Sequence, residues 1–148
     1  MPDNHIIPRM HTAEHLLNQT MVRMFDCGRC VSAHLNRKKS KCDYAFSRDI
    51  TDEEKAAIEE RLNRLIADDL EVREEVLLLG DAGELCDLSR LPDESGETVR
   101  IVRIGDYDLC PCIGEHVRST GELGRFRITT HDWNEGIVRL RFKLDEND

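Results

Sequence analysis

Four side chains with soft-metal chemistry fall into two pairs of equal spacing: His11-x-x-x-His15 and Cys112-x-x-x-His116, about a hundred residues apart. One turn of helix puts residues i and i+4 on the same face, roughly 5–6 Å apart at Cβ. Two such pairs could close a tetrahedron of three imidazoles and one thiolate, a donor set that suits zinc. Cys110 competes for the thiolate role. The four-residue spacing to His116, with Gly114 allowing a tight backbone, favours Cys112 and leaves Cys110 behind it or in the core. The metalloprotease pattern H-E-x-x-H is absent: position 12 is Thr, and the acid, Glu14, directly precedes the second His. Glu14 is expected to be an ordinary surface carboxylate, so proteolysis is disfavoured.

These pairs need elements to hold them. Arg9–Phe25 reads as an opening helix, with Ala13, Leu16, Leu17, Met21, Met24 and Phe25 as its apolar stripe and Gly28 as its stop. Cys30–Asn36 and Cys42–Phe46 read as short strands around the basic turn Arg37–Lys41. Thr51-Asp52-Glu53-Glu54 is a capping box that launches a second helix to about Asp69, with Ile58, Leu62, Leu65 and Ile66 buried. Val72–Leu79 and Thr98–Ile104 pattern as strands, and Tyr107–Cys110 continues after a Gly105-Asp106 turn. Gly80–Gly96 is a polar loop. Gly124–Thr130 and Ile137–Leu144 form a hairpin across Asn134-Glu135-Gly136. The fold class that follows is α+β, a mostly antiparallel sheet packed with two main helices, in a single domain over residues 1–148.

Composition narrows the functional classes. With 148 residues, 39% hydrophobic and 34% charged, the chain has room for a core and reads as an ordinary globular protein. No apolar run approaches the ~20 residues of a membrane helix, and the first residues lack a signal-peptide core, so a cytoplasmic location is the expectation. Six cysteines then read as thiols or metal ligands rather than disulfides. Cys27-x-x-Cys30 is the one other spacing with redox or zinc character, the alternative being plain buried thiols. A net charge of −9 argues against a broadly basic nucleic-acid binder. Acids crowd Asp52–Glu75, Asp81–Glu97 and Asp145–Asp148, whereas Lys38, Lys39 and the arginines at 118, 125, 127, 139 and 141 form an opposite pole.

The string His11-Thr12-Ala13-Glu14-His15-Leu16-Leu17, with Cys112-Ile113-Gly114-Glu115-His116-Val117 downstream, resembles the editing domain shared by alanyl- and threonyl-tRNA synthetases, and most of all the AlaX-type proteins. Ile58-Glu59, Asn63 and Gly121-Glu122-Leu123-Gly124 add to the resemblance. It implies a threonyl/alanyl-tRNA synthetase editing-domain-like fold, zinc on His11, His15, Cys112 and His116, and hydrolysis of mischarged aminoacyl-tRNA, Ser-tRNA(Ala) foremost. It also implies that Thr12 lies beside the amino-acid pocket, where its hydroxyl could recognise serine. Ile113 and Glu115 stand where the alanyl branch has small or neutral residues, which changes pocket size and local charge. Glu115, adjacent to His116, is the extra candidate for acid–base work. Arg118, Arg125, Lys38 and Lys39 are the candidates for contact with the aminoacylated 3′ end of tRNA; no stable protein partner is inferred. Two rival readings use the same residues. One is a non-catalytic zinc-stabilised module; the other is a metal-dependent hydrolase of a small ester or amide.

Overall fold

The computed structural model describes residues 8–78, 81, 98–112 and 114–145. The expected polar loop of 80–96, apart from Asp81, lies outside these residues, as do Leu79 and Ile113.

Helix α1 spans Pro8–Phe25. Proline suits a first helical position, where its missing N–H would have no partner in any case. Met10, Ala13, Leu16, Leu17 and Met21 are buried on the core face at three-to-four spacing. The stop comes earlier than Gly28: Asp26 takes the left-handed conformation, φ +56°, and its N–H bonds the Val22 carbonyl. Aspartate is one of the few residues that visits this region readily.

Strands β1 (Ser32–His34) and β2 (Ser40–Ala45) follow, then helix α2 (Asp52–Ala67). Thr51 caps α2 as the capping box requires, accepting from the Glu54 N–H while the Glu54 carboxylate accepts from the Thr51 N–H. Glu54 also takes a two-pronged contact from Arg48, both at 2.8 Å, and with the backbone bond this holds its carboxyl down at about 2. Thr51→Ala is expected to cost about 1 kcal/mol in a urea titration. The sign of the pH effect follows from the depressed Glu54 value. Its contribution is present above the ordinary 4.5 and is lost as pH falls toward 2. The destabilisation caused by Arg48→Ala, small because the pair is solvated, should therefore shrink over that window.

Two antiparallel sheets form where one was expected. β3 (Val72–Leu78), β4 (Thr98–Ile104) and β5 (Asp108–Pro111) make a three-stranded sheet in that order. The hairpin β6 (Arg125–Asn134) and β7 (Ile137–Asp145) joins β2 and β1 in the order β1-β2-β7-β6. A one-turn 3₁₀ segment, Thr120–Leu123, precedes β6.

The outer edge of β6 is not left open. Asn63 of α2 exchanges two hydrogen bonds with the Phe126 backbone, 2.8 and 3.0 Å, and Glu59 accepts from the Ile128 N–H at 2.8 Å. A helix side chain thus takes the place of a further strand, one way proteins close a sheet edge. Between sheet and helices lies the core, with Tyr44, Phe126, Phe142, Leu16, Leu17, Ile58 and Leu62 fully buried. Thr120 ties the two halves: its hydroxyl donates to the Leu65 carbonyl and accepts from the Leu70 N–H.

Candidate metal centre

His11 and His15 lie in the first half of α1, on the face turned to the end of β5. The chain leaves β5 at Pro111, and Cys112, Gly114, Glu115 and His116 lie outside helix and strand, so of the helical or turn-like wrap that their spacing permitted the helical form is not taken. Arg100 of β4 shapes that loop. Its Nη1 donates to the carbonyls of Cys112 and Gly114 at 2.8 and 2.7 Å, and the Cys112 N–H donates to the Arg100 carbonyl at 3.1 Å. Glu74 of β3 holds the guanidinium from its other side, 2.6 Å from Nη2. Nothing in the alternating pattern of β4 marked Arg100 for this task.

The result is convergence. One ligand atom each from His11, His15, Cys112 and His116 lies within 4.8 Å of every other, so the four could hold a metal ion. Cys112, not Cys110, joins the histidines. Gly114 is required by steric contact rather than by its dihedral angles. A Cβ there would collide with His11 Cε1 and lie 2.6 Å from its Nδ1.

Two of the three imidazoles are held from behind by hydrogen bonds, as metal-binding histidines usually are, and the third faces a carboxylate. His11 Nδ1 lies 3.1 Å from the Glu115 carbonyl oxygen, which only accepts, so this nitrogen carries the proton and Nε2 offers its lone pair. That Nε2 stands 3.2 Å from Cys112 Sγ. His116 Nδ1 is 2.9 Å from the Thr12 hydroxyl, leaving Nε2 buried with no partner among the described residues. A buried orphan of this kind calls for an explanation, and a cation between the four groups supplies one. His15 Nδ1 sits 3.4 Å from Asp108 Oδ2, close enough for charge attraction but not aligned as a hydrogen bond.

The electrostatics favour a thiolate. Burial alone would push the Cys112 thiol up, but the imidazoles of His11, His116 and His15 beside it bring it down to about 3. Burial would pull His15 down, yet Asp108 and Cys112 raise it to about 9. Burial and the neighbouring imidazoles hold His116 below its ordinary value, which suits a neutral ligand. Cys110 differs: burial drives its thiol up to about 12.

A cleft of about 450 Å³ opens beside the centre, walled by His11, His15 and Cys112 together with Glu14, Asn18, Arg29, Cys30 and Cys110. Glu14 is therefore no ordinary surface carboxylate. Its side chain is 15% exposed, Asn18 Nδ2 and the Cys30 thiol donate to its Oε2, and Oε1 lies 3.9 Å from His11 Nε2. Asp108, fully enclosed, accepts from Arg29 at 2.8 Å and Gln19 at 3.2 Å. The sequence signal for it is an acid set between Tyr107 and Leu109 in an otherwise apolar segment.

The remaining candidates fall in different places. Thr12 is fully buried behind His116, and its oxygen also takes the Val117 N–H at 3.3 Å, so it is not part of the cleft wall. Glu115 contributes its backbone carbonyl to the centre while its side chain is exposed. Lys38 and Lys39 are exposed in the β1–β2 turn, and Arg118 is exposed two residues beyond His116. Arg125 lines a separate recess with Asn63 and Gly124. Thr12→Val, which removes the hydroxyl from His116, is expected to weaken metal binding about 10–100-fold in a chelator competition, with Thr12→Ser retaining it.

Comparison with known proteins agrees with this architecture. Residues 99–141 match the family described as the threonyl and alanyl tRNA synthetase second additional domain. That span holds Cys112 and His116 but not His11 and His15. Alanine–tRNA ligases align over most of the chain. That of Treponema denticola is 29% identical over 137 residues, covering 91% of this chain and 23% of the ligase. That of Streptococcus pneumoniae is 31% identical over 129 residues, covering 86% and 15%. These matches support an AlaX-like, threonyl/alanyl-tRNA synthetase editing-domain family for this chain. The Idiomarina loihiensis enzyme, 28% identical, is covered to 14% of its length, so this chain spans between about a seventh and a quarter of these relatives. Among the described residues, no helix is long and apolar enough to cross a membrane.

Proposed function

We propose that this chain is a zinc-dependent hydrolase that deacylates mischarged aminoacyl-tRNA, with Ser-tRNA(Ala) as its substrate, in the cytoplasm. The observation that carries the reading is the cluster of three imidazoles and one thiolate, two imidazoles hydrogen-bonded from behind and the third facing Asp108, in a chain with this family resemblance. Zinc bonds of ~2.0–2.3 Å imply tetrahedral edges of roughly 3.4–3.7 Å, and the 3.2 Å between His11 Nε2 and Cys112 Sγ is close to one of them. Held there, the ion would supply Lewis-acid polarisation of the ester carbonyl or a water of lowered pKa.

The rest of the chemistry belongs to the chain. Hydrolysis breaks the ester C–O bond, adds water to the acyl carbon and returns a proton to the ribose hydroxyl. A cleft of about 450 Å³ falls in the range of small-ligand sites and suits an aminoacyl group with part of the terminal ribose. Glu115, exposed beside His116, is placed to exchange protons with solvent. Thr12 acts through His116 by orienting its ring. Arg118, Arg125, Lys38 and Lys39 would contact phosphates of the acceptor end, positioning it without reading sequence.

One observation favours a second reading. Four protein ligands close a tetrahedral sphere, which is the habit of structural zinc; in that case the ion only pins α1 to the loop after β5. The test is deacylation of Ser-tRNA(Ala) and Ala-tRNA(Ala) by the metal-loaded protein. Release of serine in preference to alanine, lost on His15→Ala, is the expected result. Full metal content with no turnover establishes the structural role, and turnover confined to small esters overturns the tRNA assignment.

A further inference from the structure

We propose that Glu14, Cys30 and Cys42 form a second soft-cation site, with three protein ligands and a fourth position open to the cleft. The three donor atoms lie within 4.8 Å of one another. They come from three separate segments. The Val31 N–H bonds the Asp43 carbonyl at 2.8 Å, which lays Cys30 against β2. Cys42 on β2 points to the same face as Tyr44, and both are fully buried. Glu14 comes down from α1, with Oε2 3.3 Å from Cys30 Sγ.

The carboxylate is held from behind. Tyr44 donates to Asn18 Oδ1 at 2.6 Å, and Asn18 Nδ2 donates to Glu14 Oε2 at 3.2 Å, a relay that orients Glu14 toward the sulfurs. Such outer partners accompany metal ligands generally. Two sulfurs and one carboxylate suit zinc and similar borderline or soft cations, not magnesium or calcium. The cysteines that invited attention as Cys27-x-x-Cys30 are thus divided. Cys27 meets the Met21 carbonyl at 3.6 Å, while Cys30 turns to Cys42.

Coordination number gives this site its interest. The His11, His15, Cys112 and His116 set fills a tetrahedron, whereas three ligands leave a place for water or substrate. Glu14 and Cys30 both line the cleft, so that place faces the same space, and Glu14 Oε1 lies 3.9 Å from His11 of the first centre. Arg29 is the nearby cation, and Asp108 neutralises it.

Metal content decides the matter without reference to catalysis. The reduced apoprotein, loaded with excess zinc or cobalt(II) and then desalted, is expected to hold two ions per chain by elemental analysis. Cys30→Ser and the near-isosteric Glu14→Gln should each fall to one, with circular dichroism reporting that the fold is kept. Cobalt-loaded Cys112→Ser, whose first centre has no thiolate, should retain sulfur-to-cobalt charge-transfer absorption, and Cys112→Ser/Cys30→Ser/Cys42→Ser should lose it. One ion in the wild type, two in folded Cys30→Ser/Cys42→Ser, or no charge-transfer band in Cys112→Ser would each overturn the proposal.

Discussion

Gly114→Ala is expected to abolish tight metal binding while the two sheets stay folded. The added methyl would overlap His11 Cε1 and come within 2.6 Å of Nδ1, the nitrogen that donates to the Glu115 carbonyl. The loop cannot retreat freely, because Arg100 grips the carbonyls of Cys112 and Gly114 on either side of residue 113. The imidazole must therefore swing, and Nε2 leaves the other ligands. We expect a loss in metal affinity beyond the ~100-fold upper end for outer-partner mutations, read by chelator competition. Global stability of the apoprotein should change far less, since neither sheet uses Gly114. A variant that binds metal like the wild type would show that the loop yields instead.

Asp108→Ala is expected to have the largest effect on stability. Asp108 is 3% exposed and is shared by His15, Arg29 and Gln19. Removing it leaves a guanidinium and an imidazole facing a void, and breaking a buried pair costs about 3–5 kcal/mol. Arg29 keeps a quarter of its side-chain exposure, which places the expected loss near the lower end, about 3 kcal/mol. Burial would raise the Asp108 carboxyl, but His15 and Arg29 hold it below its ordinary 3.8. Its contribution is accordingly present above that value and lost only as pH falls below it. Urea titrations of wild type and variant should differ fully at neutral pH and converge under strong acid. A constant difference down to pH 2 would show that the effect is packing alone.

The parts of the fold that were legible are those encoded within a few residues. The capping box at Thr51–Glu54, the stripe Ile58-Leu62-Ile66 and the span Thr98–Ile104 emerge where their periodicity placed them. His11 and His15 share a helix face because four residues make about one turn. Misreadings arise where local pattern underdetermines geometry. α1 ends at Phe25 as its periodicity placed it, but the left-handed residue of the stop is Asp26 rather than Gly28. Cys112 and His116 share the helical spacing yet sit on a loop, since Pro111 and the grip of Arg100 set the backbone there.

By itself, then, the sequence determined the two helices, most strands, the four candidate ligands and the family resemblance. All of these rest on short-range periodicity or on residue types at fixed spacing. Only the tertiary structure decided that Glu14 walls a cleft, that Thr12 braces His116, that Asp108 stands behind His15, and that Cys30 meets Cys42 rather than Cys27. Each of these depends on which face of one element meets which face of another. Such contacts are paid for in loop closure and packing across the chain, and no local spacing records them.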